Sequence, residues 1–260
     1  LRRQRQMCIR DSIISGRSRF TLATLPASEF PSVEDSEESI GFIAKGMVLK
    51  SLMDSTSFAM AQQDVRYYLN GMLWELSPNS LRAVATDGHR MALCDVDCSV
   101  DMTEKINVIM PRKGIVELSR LLGDEEISVT MGASHVRART DNFCFTSKLV
   151  DGTYPDYERV LPKGGEKRVS GDRLELRQAF NRTSILSNEK YKGVRLLLSN
   201  GVLKMVANNP EQEEAEEEVL VDYGGEDLEI GFNVSYLLDV LNVLKGSCLL
   251  YTSPSPRDRG

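Results

Sequence analysis

The central part of the chain carries two kinds of hydrophobic pattern, and it carries them twice. LRAVAT (81–86) and LKMVAN (203–208) alternate polar and apolar positions, as half-buried strands do. Each follows a turn rich in residues that tolerate hairpin geometry, SPNS at 77–80 and SNG at 199–201. Helical periodicity recurs around Ile43 to Phe58, in VIMPRKGIVELSRLL, around Asp172 to Leu186, and in IGFNVSYLLDVLNVLK. Leu81 and Leu203, Val84 and Val206, and Asp87 and Asn209 occupy matching places, a repeat with a period of about 122 residues. Each copy reads helix, strand, turn, strand, further strands, helix. Many strands with only two helices per copy predict an α+β fold, the helices on one face of a mostly antiparallel sheet, and not a doubly wound nucleotide-binding fold.

Composition places the boundaries. LPKGGEKRVSGD (161–172) clusters Pro, Gly and charge without periodicity, and FPSVEDSEES (30–39) has the acidic, serine-rich character of a linker. We expect the tail of one domain at 13–38, a whole domain at 39–163 and most of another at 164–247. The ends, 1–12 and 248–260, differ from everything between them. If Met7–Asp11 is read back into codons, the complementary strand can spell Cys248–Thr252, as an inverted sequencing-adaptor sequence would. Both flanks are therefore expected to be non-native and to carry little order.

Bulk properties then exclude whole classes. A hydrophobic fraction of 41% with 27% charged residues is that of a globular protein, and no apolar run approaches the ~20 residues of a membrane span. The formal charge of -6 argues against a simple basic nucleic-acid binder, although an acidic exterior can enclose a basic inner face. The five cysteines show no ligand spacing and no secretory signal is visible, so a reducing, cytoplasmic location and no metal are expected.

Longer stretches carry a resemblance. QDVRYYLNGM (63–72), VATDGHRMAL (84–93), FTSKLVDGTYPDYERVLP (145–162), ILSNEKYKGVRL (185–196) and ANNPEQEEAEEE (207–218) are similar, in order, to the signature stretches of the bacterial sliding clamp family, the DNA polymerase III beta subunits. The resemblance implies a DNA clamp fold, repeated domains with sheets outside and two helices per domain facing the interior of a ring. It also implies a non-catalytic processivity factor closed as a head-to-tail homodimer around duplex DNA, without base specificity. The implied partners are the polymerase III catalytic subunit, the clamp loader and other proteins with a clamp-binding motif. No cofactor is implied, since ATP enters through the loader.

Site residues follow from the same resemblance. The peptide groove for clients falls on Leu69, Thr86, Gly88, His89, Arg90, Met91, Pro155, Arg159 and Val160. Leu69, Met91, Pro155 and Val160 suit an apolar floor, and Thr86, His89 and Arg90 suit bonding to a peptide. Met91 stands where the family often has another aliphatic residue. The family's Pro-Met-Arg-Leu-like tail, which helps build the groove, lies past the end of the chain. DNA contacts are expected from phosphate neutralisation by Lys45 and Lys50 of the first helix, Arg112, Lys113 and Arg120 of the second, and Arg173, Arg177 and Arg182 of the third. The loop residues Gln63, Arg66, Tyr67 and Tyr68 join them, with tyrosine able to stack on a base or to be buried in the core. Ring closure is assigned to Arg17, Arg19, Phe20 and Leu22 on one side. Ile185, Leu186, Glu211, Glu213, Glu214, Glu216 and Glu217 form the other.

Each assignment has a plainer alternative: the helix charges as solvated faces, and the glutamate run as an exposed acidic strand. Two other functions stay open. One is a clamp paralogue that binds inhibitors or regulators; the other is an enzyme in which His89 acts as a base oriented by a carboxylate. No nucleophile elbow, P-loop or G-x-G-x-x-G supports an enzyme.

Overall fold

The computed structural model describes residues 9–29, 40–100, 102, 104–161, 168–246 and 248–252. The linker at 30–39, residues 162–167 of the boundary at 161–172 and the outermost residues of both flanks lie outside the described residues. The chain divides into two units, Leu1–Ser39 and Ile40–Gly260.

In the first unit, β1 (Ile9–Ser15) pairs antiparallel with β2 (Ser18–Thr24), Ile13 facing Phe20 and Ile14 facing Arg19. A two-stranded ribbon has no interior, so Ile13, Ile14, Phe20 and Leu22 are all exposed.

The second unit holds both copies of the repeat, each around its own core. In the first copy, β3 (Ile40–Lys45) leads directly into α1 (Gly46–Thr56). The helical pattern expected from Ile43 therefore begins three residues later, because Ile40–Lys45 pairs with a further strand. Strands β4 (Gly71–Ser77), β5 (Ser80–Thr86), β6 (Met91–Asp97) and β7 (Ile106–Pro111) form one sheet in the order β6-β5-β4-β7. After α2 (Arg112–Leu121) come β8 (Glu126–Met131), β9 (His135–Arg139) and β10 (Cys144–Lys148), a second sheet in the order β10-β9-β8-β3. Helix α1 turns Leu49, Leu52, Met53 and Thr56 inward, the i, i+3, i+4, i+7 stripe of an amphipathic helix. Leu49, Leu52 and Met53 meet Trp74, Leu76, Leu81 and Ile115 in one core.

The second copy repeats this plan. β11 (Arg168–Asp172) leads into α3 (Arg173–Ser184), where Asp172 accepts the Glu175 N–H at 2.8 Å as N-cap. Strands β12 (Gly193–Ser199), β13 (Val202–Asn208), β14 (Glu214–Leu220) and β15 (Leu228–Asn233) form a sheet in the order β14-β13-β12-β15. That order matches the first copy element for element. α4 (Val234–Val243) packs on α3, and Leu176, Ala179, Phe180 and Thr183 repeat the inward stripe of α1. Gly71, at the head of β4, shows how close the strands run: a Cβ there would stand 2.6 Å from the Met110 carbonyl oxygen.

The flanks differ from expectation. Residues 9–12 belong to β1, and β16 (Cys248–Thr252) pairs antiparallel with β11. The reason is generic, since β11 offers an unpaired row of N–H and C=O groups and a Leu-Leu-Tyr-Thr run has high strand propensity.

The single tryptophan, Trp74, lies fully buried in the first core and reports on its unfolding. Leu52→Ala is expected to lower stability by about 2–5 kcal/mol in urea denaturation followed by Trp74 fluorescence. A change under about 0.5 kcal/mol would mean that Leu52 does not fill the core as described.

Candidate functional site

The turn between β5 and β6 is built from its own polar atoms. Thr86 Oγ1 donates to the Arg90 carbonyl at 2.7 Å and accepts the Gly88 N–H at 3.1 Å. Asp87 Oδ1 accepts the N–H groups of His89 and Arg90 at 2.9 and 3.0 Å, and its Oδ2 accepts Arg90 Nε at 3.1 Å. Gly88 stands at a φ of +88°, and a Cβ there would meet the Arg66 guanidinium at 3.2 Å.

This arrangement already engages two of the three polar candidates inside the protein. Thr86 and Arg90 use their polar groups within the protein, because a turn with this geometry leaves donors and acceptors that must be matched locally. The Thr86 N–H is held by the Tyr154 hydroxyl at 3.0 Å. Arg90 reaches further: Nη2 donates to the Phe58 carbonyl at 2.9 Å and Nη1 to Asp239 on α4 at 2.5 Å. Its guanidinium lies 4.4 Å from the centroid of Tyr236 and 5.5 Å from that of Phe58. Of the three polar candidates only His89 presents its ring to solvent. Its carboxylate neighbour Asp87 is aimed at backbone N–H groups and Arg90, so the geometry provides no Asp87–His89 dyad for base catalysis.

The apolar floor divides likewise. Leu69 is buried at 2% exposure, with half-buried Met91 packed on the same cluster beside Val84, Ile109, Tyr154 and Tyr157. Pro155 and Val160 are exposed, unlike Leu69, and the exposed Arg159 pairs with Asp156 at 2.7 Å. Pro155 also borders a cavity of about 430 Å³ lined by Leu73, Glu75, Ile109 and Tyr157.

The loop before β4 abuts this turn. Arg66 binds Asp64 through Nε at 3.0 Å and Nη2 at 2.8 Å, and Nη2 also donates to the Asp87 carbonyl at 3.3 Å. Arg66 thereby holds the Asp64 carboxyl at about 2, below its ordinary 3.8. Gln63 has a φ of +56°, a left-handed conformation uncommon outside glycine and asparagine. Tyr67 is 57% exposed and meets the half-buried Tyr68 edge to face at 5.8 Å, so only Tyr68 is substantially packed against the protein.

The helix cations are less uniform than their sequence positions suggest. Lys45 ends β3 and occupies the N-cap position of α1 rather than belonging to the helix. Lys50 donates to Ser119 Oγ at 3.2 Å, and Ser119 donates to Asp54 at 2.6 Å, tying α1 to α2. Arg112 caps the Met60 carbonyl at 3.1 Å, and Arg173 binds the carbonyls of Gly246 at 2.8 Å and Leu241 at 3.0 Å. These three side chains satisfy backbone or helix–helix bonds first because their long stems reach orphan acceptors nearby. Lys113 and Arg120 are exposed, Arg120 paired with Glu117 at 3.2 Å, and Arg177 is half-buried.

Comparison with known proteins decides the family. The family model for the central domain of the DNA polymerase III beta subunit matches residues 44–156, and that for its C-terminal domain matches 158–250. The beta sliding clamp of Pseudomonas aeruginosa is 63% identical over 232 residues, covering 88% of this chain and 63% of that protein. The Escherichia coli K12 beta sliding clamp is 54% identical over 233 residues, covering 89% and 63%. The crystal structure of the DNA polymerase III subunit beta from P. aeruginosa superposes with a TM-score of 0.89 at 59% identity, over 96% of this chain and 68% of that one. The chain belongs to the bacterial beta sliding clamp family. It spans about 63% of the length of the curated relatives it matches. A more distant clamp, from Bartonella birtlesii and bound to griselimycin, still superposes with a TM-score of 0.86 at 37% identity, over 94% of this chain and 67% of that one.

Within the clamp fold, most of the residues assigned to ring closure are exposed, and they are differently engaged. Ile185 is 77% exposed, Leu186 half-buried, and Arg17, Arg19, Phe20 and Leu22 are all open to solvent. Glu211 and Glu214 are exposed, Glu213 binds Asn209 Nδ2 at 2.7 Å and Glu216 binds Lys204 at 2.8 Å. One pair crosses two assignments. Arg182, expected at DNA, and Glu217, expected at the subunit interface, form a bidentate bridge at 2.6 and 2.9 Å. They lie on adjacent faces of α3 and β14, where planar fork and carboxylate match. The bridge lowers Glu217 and raises Arg182 from their ordinary pKa values.

Sequence reading missed Tyr154, Phe58, Tyr236 and Asp239. Only the last two left a visible signal, an aromatic and an acid at i, i+3 on one face of α4.

Burial holds the Tyr154 phenol at about 12, against an ordinary 10. Its stabilising contribution is complete below 10 and is lost as pH rises through about 12, so one tyrosine should ionise late in an absorbance titration. Tyr154→Phe should remove that step and cost about 1 kcal/mol in urea unfolding by stripping the Thr86 N–H of its acceptor. Asp64 has the opposite sign. Its contribution is present above 3.8 and lost as pH falls through about 2, and a carboxyl resonance titrating near 3.8 in NMR would show the Arg66 pair absent.

Proposed function

We propose that the protein acts as a DNA sliding clamp, a non-catalytic subunit that closes around duplex DNA and tethers polymerase and other clients during replication. The observation that carries this reading is the family membership, whose identity of 63% runs through both repeated domains. Duplex DNA would be held loosely by exposed Lys45, Lys113 and Arg120 together with Arg177 and the Gln63–Tyr68 loop. Scattered cations suit a ring that slides, since phosphate contacts give affinity without sequence information.

Clients would enter the depression framed by Leu69, Met91 and the Thr86–Arg90 turn, with Pro155, Arg159 and Val160 at its rim. His89 is the polar group left to meet the peptide. Copies would join head to tail, the Phe20 and Leu22 surface of one against Ile185, Leu186 and the glutamate strand of the next. An apolar centre with weak ion pairs at its edge suits a joint that a loader must open, since each exposed pair is worth ~0–1 kcal/mol. The clamp loader, the polymerase III catalytic subunit and a homodimeric ring in the cytoplasm complete this reading.

The decisive assay supplies the full gene product with the P. aeruginosa clamp loader, ATP and polymerase on primed circular DNA. Long products that appear only with the protein are expected, and no stimulation would count against the replication role. Met91→Glu should weaken binding of an apolar-anchored peptide by about 2 kcal/mol or more in fluorescence anisotropy, as expected for a buried anchor. Lys113→Glu should instead weaken binding to DNA of any sequence and shallow its salt dependence, leaving peptide affinity unchanged.

A further inference from the structure

The groove turn and helix α4 belong to successive copies of the repeat, yet one guanidinium serves both. Arg90 gives Nε to Asp87 in its own turn, Nη2 to the Phe58 carbonyl and Nη1 to Asp239, with the Tyr236 ring against it. Its side chain is only 20% exposed, whereas that of Asp239 is 39% exposed. Asp239 therefore retains much of its access to water, and its position is not explained by a need to neutralise a buried acid. Arg90 has the greater need. A largely desolvated cation that loses a partner keeps its desolvation cost, and the planar guanidinium fixes the direction of each bond it makes.

The groove walls hang from the same atoms. The Thr86 hydroxyl bonds to the Arg90 carbonyl, and Asp87 holds the His89 N–H and Arg90 Nε at once. A shift of the Arg90 side chain toward or away from α4 thus moves Asp87, and with it His89. A second link, Lys245 Nζ to Ser51 Oγ at 3.1 Å, also joins the two copies but lies on α1, away from the turn. The fold thereby separates a general tether from one attached to the groove.

We propose that Asp239 is a positioning residue of the client groove. It holds Arg90 across the joint between the two domains, so that peptide affinity depends on the seating of α4 and a bound peptide in turn tightens that joint. The proposal rests on the groove reading given above. The coupling must be reciprocal, because whatever the joint contributes to peptide affinity, the peptide contributes to the joint. The occupant is a short peptide with apolar anchors for Leu69 and Met91.

The test measures anisotropy of a fluorescein-labelled hexapeptide with leucine and phenylalanine anchors against the full gene product and its D239N and D239E variants. Amide exchange of Val234–Val243 is followed with and without peptide. D239N is expected to weaken binding about tenfold, with D239E staying within about threefold of the unaltered chain. The peptide should slow α4 exchange in the unaltered chain and not in D239N. The urea midpoint of Trp74 fluorescence should stay constant, as a mere loss of folding would not allow. Equal affinity of D239N and the unaltered chain would overturn the proposal and leave the groove reading standing. So would a D239E defect as large as that of D239N. No binding to the unaltered chain would overturn the groove reading, and the proposal with it.

Discussion

A guanidinium with four partners organises much of this molecule. Arg90 sits in a turn of the first repeated domain, donates to a carboxylate within that turn and a carbonyl after α1, and meets a carboxylate and an aromatic ring on the second domain. Both domains have separate apolar cores, so burial within each says nothing about how they are joined. Directional bonds of a rigid planar group supply what two independent cores cannot, a fixed orientation. The same group fixes the turn between β5 and β6, from which His89 projects.

Around that joint the fold is economical. One plan, a strand into a helix followed by a four-stranded antiparallel sheet, appears twice with the same strand order. The helices α1 and α3 bury the same stripe at the same spacing, Leu49, Leu52, Met53 and Thr56 matching Leu176, Ala179, Phe180 and Thr183. A duplicated scaffold leaves individuality to the surface. Thus the first domain packs Tyr154 and Tyr157 against its sheet beside a cavity of about 430 Å³, while the second has a groove of about 640 Å³ beside Tyr191, Arg195 and Phe232.

Much of this was legible in the sequence, and for a physical reason. Strand alternation and turn composition act over a few residues, so LRAVAT, LKMVAN and their turns revealed themselves without any tertiary information. The helix start was misplaced at Ile43 because apolar spacing alone cannot say that Ile40–Lys45 pairs with β8, a strand more than eighty residues on. Side-chain partners were the least readable. Arg90 and Asp239 stand 149 residues apart, and nothing local to either marks the other. Charge roles suffered for the same reason: Lys50, Arg112, Arg173 and Arg182 look like available cations in a linear chain, yet each finds an acceptor when the backbone folds back.

The glutamate strand has a consequence for symmetry. β14 is the edge of its sheet, and Glu214, Glu216 and Glu218 are its exposed alternate residues. If two copies met through this edge about a twofold axis at Glu216, Glu214 would face Glu218 and Glu216 would face itself. Like charges set directly opposite oppose such pairing at every one of these positions. In this register the strand disfavours its own image and suits an edge of different composition. An assembly joined through unlike faces ends only where rotation brings the last copy back to the first.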